Sequence, residues 1–306
     1  RGLGDVYKRQ SSMRTYLDCF PCFVRQALDA ARFATDDEQI HTRVVQEVLH
    51  LAARMDTHQP PPVIGQHVHR LIRKITEKED PYYEQKHRSN ELALRLYGEL
   101  EQDVVGAADP LEAAVRLAIA GNILDFGVNS ALDYAQAEQI INAALDAEFD
   151  ASELSAFSDA VAQARDILYL GDNAGEVVFD RVLIERLPYD KVTFVVKGSP
   201  VINDATMADA EAAGLTDLVE VITNGSDGPG TILETCSPRF RERFARADLV
   251  IAKGQGNYES LSEVDKSIFF ILKAKCPVIA RDLDCTIGEM ILRLSLIHIS
   301  EPTRPY

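Results

Sequence analysis

The sequence predicts an α/β protein, a Rossmann-like parallel sheet of about five or more strands with helices on both faces, joined to an all-helical N-terminal region. Three observations carry that expectation. Apolar residues recur at helical spacing over the first half of the chain. Short β-rich runs then alternate with helical stretches. Polar clusters follow the end of nearly every such run.

In the first half, Phe23-Val24, Ala27-Leu28 and Ala31 form one helical stripe, and Leu92, Leu96 and Leu100 form another, with Ala93 beside it. Breaks fall at Pro60-Pro61-Pro62, at Asp80-Pro81 and at Asp109-Pro110. The two Asp-Pro pairs read as an N-cap followed by proline at the first helical position. From Asp166 onward the runs 167–170, 192–196, 218–222, 249–252 and 278–280 read as strands. Residues 13–163 are thus expected to form a helical domain and residues 164–293 an α/β metal-binding domain. Residues 1–12 and 294–306 lack a helical or strand period and read as a non-native leader and tail.

The 306 residues are 46% hydrophobic, enough for a sizeable core, and 32 basic against 48 acidic residues give a formal charge of −16. That balance argues against nucleic-acid and anionic-membrane surfaces and favours a small-molecule partner. No apolar stretch has the length of a membrane span, and no signal peptide is visible. The five cysteines, Cys19, Cys22, Cys236, Cys276 and Cys285, do not match a disulfide framework, so reduced thiols and a cytoplasmic location are expected. Oligomeric state is not indicated.

Ligands of open parallel sheets bind beyond the carboxyl ends of the strands, and the polar clusters converge on that rim. Gly171-Asp172-Asn173-Ala174-Gly175-Glu176 follows the first strand, Lys197-Gly198 through Asn203-Asp204 the second, Asn224-Gly225 the third, Lys253-Gly254-Gln255-Gly256-Asn257 the fourth, and Arg281-Asp282 the fifth. Asp172, Asn173 and Asp204 offer two carboxylates and an amide, the hard oxygens that suit a cation such as Mg²⁺. Helix capping is the plainer role for the same residues. Lys253 with its glycines reads as an anion cradle or as a solvated loop, and it is not a Walker loop. Asn122 and Asp125, three apart, share one helix face and either reach into an interdomain cleft or cap a helix. Cys19 and Cys22 are either packed thiols or half of a metal or redox site lacking its partners. No Gly-x-Ser-x-Gly elbow is present, and the glycine spacing after the first strand is not that of a dinucleotide fold.

At these residues the chain resembles the DUF89 family of damage-control phosphatases, in particular its prokaryotic branch with an N-terminal Cys-x-x-Cys. The markers are Cys19-Phe20-Pro21-Cys22, Ala120-Gly121-Asn122 with Asp125, Gly171 to Glu176, Asn203-Asp204-Ala205-Thr206, Lys253 to Asn257 and Leu272-Lys273-Ala274-Lys275-Cys276. The resemblance implies a metal-dependent phosphatase acting on small phosphorylated metabolites with Mg²⁺, Mn²⁺, Co²⁺ or Ni²⁺. It implies metal ligation by Asp172, Asn173 and Asp204, substrate contact by Glu176, Asn122, Asp125, Lys253 and Asn257, and a further basic contact from Lys275 or, one register away, Lys273. Asp172 and Lys253 would be the catalytic pair, Asp172 as ligand rather than nucleophile, because Ala174 occupies the place of the second carboxylate that an aspartyl-phosphate mechanism wants. Two other classes remain: a carboxyl methyltransferase using adenosylmethionine, and a non-enzymatic metal- or metabolite-binding protein using Cys19 and Cys22.

Overall fold

The computed structural model describes residues 13–121, 134–147 and 149–295. Six strands, β1 (Ile167–Leu170), β2 (Val192–Val196), β3 (Glu220–Thr223), β4 (Leu249–Lys253), β5 (Ile268–Lys273) and β6 (Met290–Leu294), form one sheet in the order β3-β2-β1-β4-β5-β6. The first five are parallel, and β6 runs antiparallel to β5 at the edge. This is the Rossmann strand order, and its switch point lies between β1 and β4, where a crevice opens beyond the strand ends.

Strand periodicity divides the interior. Ile167, Tyr169, Phe194, Ile251, Phe269 and Ile271 point to one face, where they pack with α4 (Tyr83–Gly106), α5 (Pro110–Gly121), α7 (Leu154–Gln163) and α8 (Glu176–Ile184). Leu168, Leu170, Val250, Ala252, Phe270 and Leu272 point to the other and meet α10 (Pro238–Arg246), α11 (Gly254–Leu261) and α12 (Pro277–Leu283). The central strands are apolar on both faces because helices cover both. Two further helices flank these: α6 (Tyr134–Asp146) beside α5, and α9 (Met207–Ala212) near β3.

The helices of residues 13–163 divide their allegiance. Those from α4 onward share the sheet's core, whereas α1 (Cys19–Ala34), α2 (Glu38–Ala52) and α3 (Pro61–Thr76) enclose a separate cluster of Phe23, Ala27, Val44, Val48, Ile64, Val68 and Ile72. Arg70, Arg73 and Gln66 of α3 tie that cluster to the rim of the sheet through Asp227 at 2.5 to 2.8 Å. The Asp109-Pro110 start behaves as expected, with Asp109 Oδ1 accepting from the backbone N–H groups of Leu111 and Glu112.

One expected strand is a helix. Residues 278–280 lie in α12, which opens with Pro277 at its first position after an extended Cys276. The fifth strand is instead Ile268–Lys273, so Arg281 and Asp282 belong to a helix and not to a strand end. A three-residue apolar run cannot distinguish a strand from a buried helical turn, and proline at N1 favours the helix.

Candidate active site

The site is assembled by pairing of two loops. Beyond the end of β1, the Asp172 carbonyl accepts from Ala205 N (2.8 Å), Ala174 N donates to the Asn203 carbonyl (2.8 Å), and Asn173 bridges Asp204 in antiparallel fashion. The short ladder brings Asp172, Asn173 and Asp204 to one wall of a cleft of about 310 Å³. Asn173 Nδ2 donates to Asp172 Oδ2 (2.9 Å) and to Glu176 Oε2 (3.0 Å), so neither carboxylate engages the amide oxygen.

Burial, followed by the charges of Glu176 and Asp204, pushes the Asp172 carboxyl well above the ordinary range, against the pull of Lys275 and Lys197. Burial also raises Asp204, opposed by Lys197, whose Nζ lies 3.2 Å from Asp204 Oδ2. Lys197 also supplies the hydrogen bond to that buried carboxyl. Mutually repelling buried carboxylates beside an available amide oxygen form a donor set that fits a hard divalent cation.

Lys253 occupies a different place from the one its sequence context suggests. Its side chain is fully buried beneath the cleft, and its ammonium donates to Glu176 Oε1 (2.6 Å), Asp180 Oδ1 (2.6 Å) and the Ala118 carbonyl (2.9 Å). Three donors meet three acceptors, which leaves none for a substrate. Burial alone would lower its pKa, but Asp180 and Glu176 outweigh it and hold the ammonium charged. Asp180 is raised to about 6, chiefly by burial, and also accepts from the Tyr169 hydroxyl. Glu176 is similarly enclosed: one oxygen faces Lys253 and the other Asn173.

Asn257 is also turned inward. Its Oδ1 accepts from Thr231 Oγ1 (2.7 Å), while its Nδ2 donates to the carbonyls of Lys253 (2.7 Å) and Gly171 (3.3 Å), locking α11 to the ends of β4 and β1. The glycines expected to cradle an anion pack on the protein itself. Gly254 has φ +78°, and a Cβ there would lie 1.9 Å from Asp172 Oδ2, so the carboxylate approaches this backbone closely enough to require glycine. Lys275 lines the cleft and acts on Asp172, whereas Lys273 ends β5 outside the lining. Asn122 and Asp125 lie outside the described residues.

The opposite wall was not foreseen. Cys19 and Cys22 from α1, Gln255 and Glu259 from α11, and Cys276 line the same cleft as the oxygen donors. Burial raises both α1 thiols, Cys19 to about 11, so they stay protonated at neutral pH. Among the described residues no three His, Cys, Asp or Glu side chains stand in a metal-holding arrangement, so Cys19 and Cys22 lack the partners of a thiolate zinc site, and the oxygen set depends on the amide of Asn173. The sequence signal for this wall was faint: Gln255 and Glu259 are four apart on one helix face, and nothing local says that α1 shares their cleft.

Fold and site together define an α/β protein with an oxygen-lined ligand cleft at the switch point of a Rossmann-ordered sheet. Residues 15–291 match the damage-control phosphatase ARMT1-like domain, and the chain belongs to that family. It is 39% identical over 293 residues to an uncharacterised protein of Methanocaldococcus jannaschii, covering 92% of this chain and 95% of that one. It is 35% identical over 286 residues to a damage-control phosphatase of Pyrococcus horikoshii (91% and 97% covered) and 32% identical over 283 residues to one of Archaeoglobus fulgidus (90% and 97%). The crystal structure of a DUF89 family protein from Pyrococcus horikoshii superimposes with a TM-score of 0.84 at 34% identity, over 92% of this chain and 99% of that one.

Proposed function

We propose that this chain is a house-cleaning phosphatase that hydrolyses phosphomonoesters of small metabolites, with a divalent cation (Mg²⁺, Mn²⁺, Co²⁺ or Ni²⁺) held by Asp172, Asn173 and Asp204. The observation that carries the reading is the meeting of these three residues on one cleft wall, in a family whose relatives are named for damage-control phosphatase activity. The bound cation would neutralise phosphoryl oxygens and acidify water. Lys275, on the same cleft, supplies a positive charge toward the transferring group. Lys253 serves differently: it holds Glu176, which in turn accepts from Asn173 and fixes the amide. Asn257 and Gly254 set α11 against Asp172. A cytoplasmic setting agrees with five cysteines that are all free thiols.

A phosphometabolite panel assayed with each cation in turn tests the reading. Turnover is expected to vanish on chelation and return with the cation, and Asp172→Ala is expected to lose both cation binding and turnover. Full activity in Asp172→Ala ends the proposal. Methyl transfer from adenosylmethionine to a carboxylate, if found, should survive chelation and would replace it.

A further inference from the structure

The wall of the cleft opposite the oxygen donors holds Glu259, a carboxyl group that no part of the reading above employs. Glu259 sits on α11, whose first residue, Gly254, presses against the Asp172 carboxylate. At a rise of about 1.5 Å per residue, Glu259 lies about 7.5 Å further along the helix. Asp172 and Glu259 line the same cleft. The i, i+4 pair Gln255 and Glu259 faces the cleft, while Asn257 and Leu261 of the same helix are buried.

Resting on the phosphatase reading, we propose that Glu259 is the general acid of the reaction, protonating the ester oxygen as it departs, and that the neutral thiols of Cys19 and Cys22 keep this carboxyl in its acid form by covering it. Water adds to phosphorus as the P–O ester bond breaks, and the bond's electron pair goes to the leaving oxygen, which takes the Glu259 proton to become an alcohol. The dihydrogen phosphate formed then returns one proton to the Glu259 carboxylate.

The surroundings suit an acid. Gln255 Nε2 donates to Glu259 Oε1 (2.9 Å) and to Cys276 Sγ (3.5 Å), which leaves the second carboxyl oxygen to carry the proton. From α1 come the protonated thiols Cys19 and Cys22, each electrostatically coupled to Glu259, with Asp18 at the same mouth. From the loop after β5 come Cys276 and Lys275, and across the cleft stand Asp172 and Asp204; the influence of Lys275 falls on Asp172. Burial raises the Glu259 carboxyl to about 7, against the hydrogen bond from Gln255. This is the range in which a group donates protons efficiently at neutral pH. The arrangement also gives the Cys-x-x-Cys pair a role that requires neither metal nor redox chemistry.

The test uses the full chain and a series of phosphate esters with progressively poorer leaving groups: 4-nitrophenyl, phenyl and 4-methoxyphenyl phosphate, then glycerol 3-phosphate. Glu259→Gln keeps the side-chain size and is expected to leave 4-nitrophenyl phosphate within about threefold of wild type while slowing the poorest leaving groups by about 10²-fold or more. Cation affinity should not change. Independently of turnover, carbon-13 NMR of labelled glutamate carboxyls in the cation-free protein should contain a resonance titrating near neutrality that Glu259→Gln removes. Cys19→Ser/Cys22→Ser should move that titration, and the alkaline limb of the rate profile, to lower pH, because serine hydroxyls admit water. A uniform loss across the esters, or no loss, overturns the acid role. An unmoved titration in the double serine variant overturns the role of the thiols. A wild-type protein inactive on the whole series and on the metabolite panel refutes the phosphatase reading itself, and the acid role falls with it.

Discussion

Removal of the buried ammonium at Lys253 is the sharpest test of how the floor of the site is built. Lys253→Met keeps the length and apolar bulk of the side chain but leaves Glu176 and Asp180 facing each other without a counter-charge, both essentially inaccessible to solvent. Breaking a buried pair by deleting one partner costs about 3–5 kcal/mol, and here one lysine serves two carboxylates. Part of the loss can be relieved by protonation. Asp180, already raised to about 6, takes up a proton readily, so the penalty should be smaller at pH 5 than at pH 8. Urea unfolding followed by circular dichroism at both pH values measures it. Glu176→Gln in the Lys253→Met background should restore part of the stability lost at pH 8. A loss below about 1 kcal/mol at pH 8 would refute the internal counter-ion role. If that small loss came with an abolished kcat, Lys253 would be acting on the substrate directly.

Three further outcomes follow from the same geometry. Gly254→Ala introduces a Cβ against Asp172 Oδ2 at a residue with φ +78°, and should weaken Mn²⁺ binding, measured by electron paramagnetic resonance, by about 10- to 100-fold, the usual cost of disturbing what orients a metal ligand. His69 of α3, buried near the Tyr82 ring, is held down to about 3, by burial first and then by Arg73. Its unfolded form takes a proton below about pH 6.5 while the folded form does not, so stability should fall by about 1.4 kcal/mol per pH unit below that value, and His69→Leu should flatten the slope in a thermal-melt series. Partial burial would raise Asp227, but Arg70, Gln66 and Arg73 hold it at about 2. Its contribution is fully present above about pH 4 and is lost as pH falls through 2; with solvent screening Asp227→Asn should cost about 1 kcal/mol at pH 7 and progressively less as pH falls to 2, read from urea midpoints.

What the sequence determined by itself was the order of elements and the rim on which function collects. β1, β2 and β4 were legible because strands covered on both faces leave continuous apolar runs, and the start of α5 because Asp-Pro is a local cap. Asp172, Asn173 and Asp204 stood out as oxygen donors at strand ends, and their union needed only that both loops share one rim. The tertiary structure alone decided which polar residues face the cleft. Lys253 and Asn257 point inward, Gly254 admits the protein's own carboxylate, and α1 brings Cys19 and Cys22 to the cleft that Glu259 lines. The physical reason is range: a cap or a strand end is written within a few residues, whereas the direction of a side chain at a rim depends on the phase of its helix and on what a distant element packs against it. The same limit explains the fifth strand, where a short apolar run beside Pro277 could be placed in a helix only once the neighbours of β4 and β6 were known.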